Sequence, residues 1–331
     1  MNAAESTTGD ARSPAVLHER VARHIFAVSK LGPLIVLIII VVVGALLSPF
    51  FATASNISTI LVNASVIGII SVGMTFVIIS GGIDLSVGAL VALTSVVATT
   101  ASVQQGGWVA MIAVGLAVGL GAGLINGLLI AYGRLVPFIA TLAMLASARG
   151  LAELLSGGTP QTSLDSTFND LGSSKLVGIP LQVCVFAGVV IAGWVLLNRT
   201  TFGRRTFALG GNREATRLAG INIQRHIVAL YMLSGLTAGI ASVLLTARLT
   251  SGSTGVGNLY ELDAIAAVII GGTRLAGGRG TLIGSILGVL IFTVITNIFV
   301  LKNLETDVQN IAKGAIIVAA VLLQGRRAAD T

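Results

Sequence analysis

The residues able to do chemistry are few and scattered. The three histidines, His18, His24 and His226, lack metal-ligand spacing, and the single cysteine, Cys184, sits inside an apolar run. That leaves neither a disulfide framework nor a cysteine-based metal site. No Ser/His/Asp or Cys/His arrangement and no paired carboxylates in a cleft can be read from the order of residues. The cluster Gly277-Gly278-Arg279-Gly280 lacks the Gly-Lys-Ser/Thr ending of a phosphate-binding loop and has no soluble βαβ context. Asp84 stands alone in the run Val-Ile-Ile-Ser-Gly-Gly-Ile-Asp-Leu-Ser-Val-Gly, residues 77–88. An ionisable group at the margin of an apolar segment points to a ligand or a proton. Capping of the helix that follows is the other reading, because an Asp side chain accepts from the first free backbone N–H groups. Asn63, Asn126 and Thr141 are isolated polar residues in apolar runs, suited either to line a solute path or to bond a neighbouring helix. These residues suit passage of a solute, not bond-making, and an enzyme is not expected. Active transport would then draw its energy from a partner or from an ion gradient.

The elements that position such residues follow from composition. Of 331 residues, 54% are hydrophobic and only 10% charged, with a mean hydropathy of +0.96. A soluble domain carries about 25% charged residues, so an ordinary cytosolic enzyme and a disordered chain are both excluded. The net charge of +7 and the pI near 10.3 suggest nucleic acid only until the charges are placed. Twenty Lys and Arg spread along the whole chain form no basic groove. Glycine is abundant, at 41 residues, as it is where helices approach closely in lipid. The chain reads as all-α, a polytopic membrane protein.

A bilayer core of about 30 Å takes about 20 apolar residues per helix. Runs of that kind lie at 33–50, 58–80, 83–103, 108–132, 135–156, 179–197, 227–248, 262–275, 281–301 and 308–324, about ten transmembrane helices, the eighth short and interrupted by glycine. Residues 1–30 contain acids and no small-residue cleavage site, and read as a polar cytoplasmic tail. The division is therefore a tail at 1–30, a transmembrane domain at 31–325 and a short cytoplasmic tail at 326–331. With the N-terminus inside, fifteen Lys and Arg fall on one face and five (Arg149, Lys175, Arg248, Lys302 and Lys313) on the other. That bias supports a multi-pass protein with both termini cytoplasmic.

Two loops are long. The stretch 156–178, rich in Ser, Thr, Gly and Asp, is external and suited to an outside partner. The internal loop 198–226 carries six arginines and one acid, Glu214. Within it Asn212 is a suitable N-cap, Glu214 complements the helix dipole in the first turn, and Gly220 supplies a left-handed stop. The spacing predicts a two-turn helix over 213–219, suited to a groove on another protein or to anionic lipid headgroups. Inside the membrane, Gly115, Gly119, Gly123 and Gly127 recur every four residues and predict a helix-packing strip, with pore lining as the alternative. Gly235/Gly239 and Gly284/Gly288 repeat the spacing. The runs 77–88 and 268–280 share an apolar stretch, Gly-Gly and an isolated charge, the pattern of an internal repeat with broken helices.

Gly81, Gly82, Asp84, Leu85, Ser86 and Gly88, within Ser80–Gly88, form one motif. Ala208-Leu209-Gly210-Gly211-Asn212 with Ala215 and Ala219-Gly220-Ile221 form a second. Glu261–Thr273 followed by Leu275-Ala276-Gly277-Gly278 is a third. Together, in this order and over about residues 30–325, they resemble the membrane permease of ribose-type ABC sugar importers. The resemblance implies a ten-helix permease of the vitamin B12-importer type (type II ABC importer) in a prokaryotic plasma membrane. It implies a second permease subunit (the same chain or a close paralogue), cytoplasmic ABC ATPase subunits that bind the ATP and Mg, an external solute-binding protein and a small sugar or polyol as substrate. The chain itself would bind no cofactor and no metal, and no nucleic acid. The segment Gly210, Gly211, Asn212, Arg213, Glu214, Ala215, Arg217, Leu218 and Gly220 corresponds to the loop that presses on the ATPase. The binding protein is expected to dock on 156–178 and 250–262. An ion-coupled secondary transporter with Asp84 as coupling carboxylate is the alternative on residues alone, and a membrane scaffold a third reading.

Overall fold

In lipid every backbone N–H and C=O must be satisfied within the protein, and a helix does this one segment at a time. The computed structural model, which describes residues 32–329, places a helix in each of the ten apolar runs. These are α1 (Gly32–Leu47), α2 (Ala54–Ile79), α3 (Val87–Ala98), α5 (Gly107–Ala131), α6 (Pro137–Ser156), α8 (Leu181–Arg199), α11 (Ile223–Leu249), α12 (Tyr260–Ile270), α13 (Leu282–Leu301) and α14 (Thr306–Ala329). Short helices α4 (Ala101–Gln104), α7 (Ser166–Ser173), α9 (Thr201–Gly211) and α10 (Arg213–Leu218) lie in the connections. Six helices (α2, α5, α6, α8, α11 and α13) are long and apolar enough to cross a membrane. The expected N-terminal tail lies outside the described residues, and α14 continues past the expected boundary at 325 to Ala329.

The core is built around α2. It starts at Thr53, whose hydroxyl accepts from the Asn56 N–H. From Ala64 to Ile79 every residue is buried, as expected of a helix that is apolar on all sides. α11 packs beside it. The four-residue glycine strip of α5 faces α11 closely: a Cβ on Gly119 would lie 2.4 Å from the Gly235 carbonyl oxygen, and one on Gly123 2.3 Å from that of Tyr231. Backbones at this separation exchange dispersion contacts that larger residues would forbid. α6 and α8, by contrast, leave most of their surface outside the chain.

Two of the runs are helical over only part of their length. The third was expected over 83–103, but α3 begins at Val87, because residues 80–86 are held in a non-helical path by side-chain bonds described below. It ends at Ala98, where the Thr99 hydroxyl turns back on the carbonyls of Ser95 and Val96. The eighth, expected over 262–275, has only the eleven-residue helix α12, preceded by a non-helical stretch from Thr250 to Leu259.

One end of the bundle carries a small folded ledge in place of the open loop expected over 156–178. β1 (Gln161–Thr162) pairs antiparallel with β4 (Ser251–Gly252), in the register Gln161↔Gly252. β2 (Lys175–Leu176) and β3 (Ile179–Pro180) form a hairpin. α7 is capped by Asp165, which accepts from the Phe168 N–H at 2.9 Å. Phe168 itself is buried against Met111, Val243 and Ala247. The opposite end of the bundle carries α9 and α10.

Candidate functional site: a backbone knot where three motifs meet

The 198–226 loop is more ordered than its sequence suggested. α10 forms as expected: the Asn212 side chain accepts from the Ala215 N–H at 2.9 Å, and Gly220 takes φ +77°. Glu214 pairs with Arg217 one turn on, at 2.5 and 3.1 Å, and this hydrogen bonding holds its carboxyl below the usual range. Arg213, Glu214, Ala215, Arg217 and Leu218 are all exposed, Leu218 at 75%. The α9 helix before it was missed. Its Phe, Ala and Leu at 202, 207, 208 and 209 are diluted by three glycines and two arginines, and propensity sees no helix there. Tertiary contacts supply what the segment lacks. Thr200 caps it by accepting from the Gly203 N–H. Phe202 lies against the rings of His226 and Phe76 at 4.6 and 6.0 Å, and Thr206 shares a 3.0 Å hydrogen bond with His226 Nε2. α9 is thereby fastened to α2 and α11.

At the end of α9 the three sequence motifs converge. The Gly278 N–H donates to the Ile79 carbonyl at 2.8 Å, joining the 271–281 loop to the last turn of α2. Gly210 fits against the same point: a Cβ there would lie 1.8 Å from the Ile79 oxygen and 2.6 Å from the Gly278 nitrogen. Gly81 and Gly277 both take φ +83° and abut each other, a Cβ on Gly277 falling 2.9 Å from the Gly81 nitrogen. Only residues without a Cβ allow three backbones to share this space. In the two similar runs, 77–88 and 268–280, the apolar stretch leads in each case into a left-handed glycine, Gly81 and Gly272. Their continuations differ, one a non-helical lead into α3 and one a loop closed by the Arg274 N–H on the Arg279 carbonyl. Beside the knot lies a cavity of about 680 Å³, lined in part by Gly81, Gly82, Arg134, Pro137, Asn212 and Tyr231.

Asp84 does not cap α3. It is fully buried, and one carboxylate oxygen accepts from both the backbone N–H and the hydroxyl of Ser86, at 3.0 and 2.6 Å. The other accepts from the Ser234 hydroxyl of α11 at 2.7 Å. Ser86 in turn accepts from the Asn126 amide of α5 at 3.0 Å, and the Tyr231 hydroxyl donates to the Ile83 carbonyl at 3.2 Å. These bonds hold the non-helical segment 80–86 against α11 and α5. Leu85 packs on the main core. Gly88 leaves room for Glu261, whose Oε2 would lie 2.1 Å from a Cβ at that position.

Of the three polar residues considered for a path, Asn126 and Thr141 are fully buried. Asn126 serves the Asp84 cluster, and Thr141 bonds back to the Pro137 carbonyl of its own helix at 2.9 Å. Asn63 is exposed and accepts from Arg248 at 2.8 Å. Two basic residues assigned to the outer side are not loop charges. Arg149 reaches from α6 to the carbonyls of Thr254 and Val256, and Lys313 pairs with Asp263 at 3.0 Å. Both sit inside apolar helices, the signal by which an intramembrane ion pair could have been found in the sequence.

A bundle of apolar helices, a capped helix offered outward and a close-packed glycine knot joining it to the core define a multi-pass membrane permease. The chain belongs to the family described as the permease component of the branched-chain amino acid transport system, whose model matches residues 56–321. It is 43% identical over 302 residues to the ribose import permease protein of Bacillus subtilis (strain 168), covering 91% of this chain and 94% of that one. The ribose import permease protein of Escherichia coli (strain K12) is 40% identical over 298 residues, 89% of this chain and 93% of its own. The L-arabinose transport system permease protein of the same organism is 36% identical over 292 residues, 88% and 89% of the two chains. No solved structure matches the chain. The resemblance read from the three motifs holds, and the chain is a transporter subunit, not an enzyme.

Proposed function

We propose that this chain is the membrane-spanning subunit of an ATP-binding-cassette importer for a monosaccharide, with ribose the first candidate. The observation that carries the mechanism is the rigid attachment of the exposed helix α10, through α9 and the Gly210 contact, to the end of the most buried helix. A force applied to α10 by a partner is delivered to α2, not dissipated in a loose loop. The partners are cytoplasmic ATPase subunits, which bind the ATP and Mg and dock on Asn212–Leu218. With Arg149 and Lys313 set aside, the ratio of fifteen to three basic residues supports placing this end in the cytoplasm, with ten crossings and both termini inside a prokaryotic plasma membrane. A ten-helix permease of the vitamin B12-importer type fits those crossings.

The opposite end receives a solute-binding protein. Of the two stretches considered for docking, 156–178 and 250–262, the β1–β4 pairing ties the first to the start of the second, Ser251–Gly252, in one ledge. A second permease, the same chain or a close paralogue, is accommodated on α6. That helix exposes Phe138, Ile139, Leu142, Leu151 and Leu154 around the small residues Ala143, Ser147 and Gly150, which allow close approach. Lipid covers the remaining apolar surface. Asp84, with both carboxylate oxygens bonded inside the chain, is placed to position 80–86 and not to carry an ion.

The test is a pull-down of tagged permease from gently solubilised membranes. Recovery of a P-loop ATPase and a ribose-binding exported protein is the expected result; an isolated permease in several mild detergents overturns it. Deletion of residues 212–219 should abolish uptake while membrane insertion persists, and normal uptake by that variant refutes the coupling role.

A further inference from the structure

The non-helical stretch before α12 runs deep into the bundle. At its start, Gly252 packs against Ser95 and Thr99 at the end of α3, and at its foot Gly257 packs against Gly88 and Val91 at the beginning of α3. Eleven residues of helix separate Gly88 from Thr99, about 16 Å at the usual rise, and the chain from Gly252 to Gly257 descends beside them as a series of turns. α11 gives the same depth. Its Ser242, seven residues short of Leu249, donates to the Val91 carbonyl at 2.7 Å. Asn258 therefore lies about halfway through a hydrocarbon core of about 30 Å. Thr250 and Leu259, at the two ends of the stretch, take φ +52° and +63°, a conformation that is costly for these residues and persists where surroundings enforce it.

One face of this stretch is uncovered. Gly255 and Asn258 are exposed, and Ser253 and Thr254 half-exposed. Half-buried Arg149 lies beside them, on the carbonyls of Thr254 and Val256. Hydroxyls, an amide and an unwound backbone at this depth are not tolerated against lipid. A dry contact with another protein would strand them without partners. A water-filled passage satisfies them.

We propose that the uncovered face of Ser253–Asn258, oriented by Arg149, lines the translocation path at mid-membrane and offers the passing sugar its hydroxyl and amide hydrogen-bonding groups. This deepens the importer reading and rests on it. Broken spans are used in this way where the solute needs polar contacts without a tight site. The buried residues Asn126 and Thr141 are thereby replaced as path candidates by a segment whose polarity is partly in its main chain.

The experiment uses the assembled transporter, with its ATPase and binding protein, in right-side-out vesicles. On a Cys184→Ser background, Ser253→Cys and Asn258→Cys are treated with a charged, membrane-impermeant methanethiosulfonate, and labelling rate and ribose uptake are followed. Thr141→Cys and Ala148→Cys, both at fully buried positions, are the comparison. The expected result is labelling at least about ten-fold faster at 253 and 258 than at 141 and 148, with uptake falling about ten-fold after labelling. Equal labelling rates at the four positions, or undiminished uptake after complete labelling, overturns the proposal. If the unlabelled Cys184→Ser transporter moves no ribose, the ribose-importer reading fails on its own, and the labelling rates still decide whether the segment faces water.

Discussion

Gly210→Ala is the sharpest test of the knot. The added methyl carbon would sit 1.8 Å from the Ile79 oxygen, whereas ordinary contact begins near 3.4 Å. The end of α9 and the end of α2 must therefore separate by about 1.6 Å, and the neighbour is rigid backbone, not the tip of a side chain. Such overpacking costs about 1–3 kcal/mol. The Gly278–Ile79 hydrogen bond, 2.8 Å in the intact knot, adds about 1 kcal/mol if it breaks. A domain stabilised by about 5–15 kcal/mol survives this, so the protein should insert and recruit its ATPase. The loss falls on force transmission, because α10 is no longer seated on α2. ATP-driven ribose uptake in proteoliposomes should drop at least about ten-fold while ATP hydrolysis continues, a loss of about 1.4 kcal/mol or more in the coupled step. Gly211→Ala is the internal control: nothing lies within 4 Å of a Cβ at that position, and uptake should be unchanged. Equal uptake by the two variants would refute the argument, since composition and helix propensity alter identically in both.

Three further outcomes follow from the same geometry. Asp84→Ala leaves the hydroxyls of Ser86 and Ser234 and the Ser86 N–H without their acceptor; it should destabilise the detergent-solubilised protein by about 3 kcal/mol. Asp84→Asn should recover most of that, and equal melting temperatures for wild type and alanine would overturn the positioning role. Asn212→Ala removes the α10 cap and should weaken ATPase binding about five-fold, corresponding to about 1 kcal/mol, with Asn212→Asp restoring it; unaltered binding by the alanine variant contradicts the docking assignment. Because Arg217 lowers the folded-state value of Glu214, the pair's contribution is present above the ordinary carboxylate range and is lost as pH falls through that lowered value. ATPase binding should therefore be flat between about pH 8 and pH 6 as far as this pair is concerned, and a midpoint near neutrality that Glu214→Gln abolishes would show the sign to be wrong.

The sequence by itself determined the class of molecule. With 10% charged residues, the chain cannot coat a soluble globule, and apolar runs of about 20 residues in lipid have to be helices. The cap at Asn212, the stop at Gly220 and the close-packing strip from Gly115 to Gly127 were legible because each depends on a few residues at fixed spacing. The tertiary structure decided the rest. Asp84 stands two residues before the Ser86 that flanks α3, so local rules read a cap, and only the arrival of Ser234 from 150 residues away makes it a clasp. α9 exists because Phe202 and Thr206 find His226 and Phe76 on other helices, which no window of the sequence contains. The eighth run was legible as a short helix, but hydropathy does not show that the residues before it, 250–259, descend along α3 in a non-helical path. The three glycine motifs are far apart in the chain and individually weak, and they acquire a role only where their backbones meet. A missing Cβ marks a close approach, but the sequence does not say which backbone will approach.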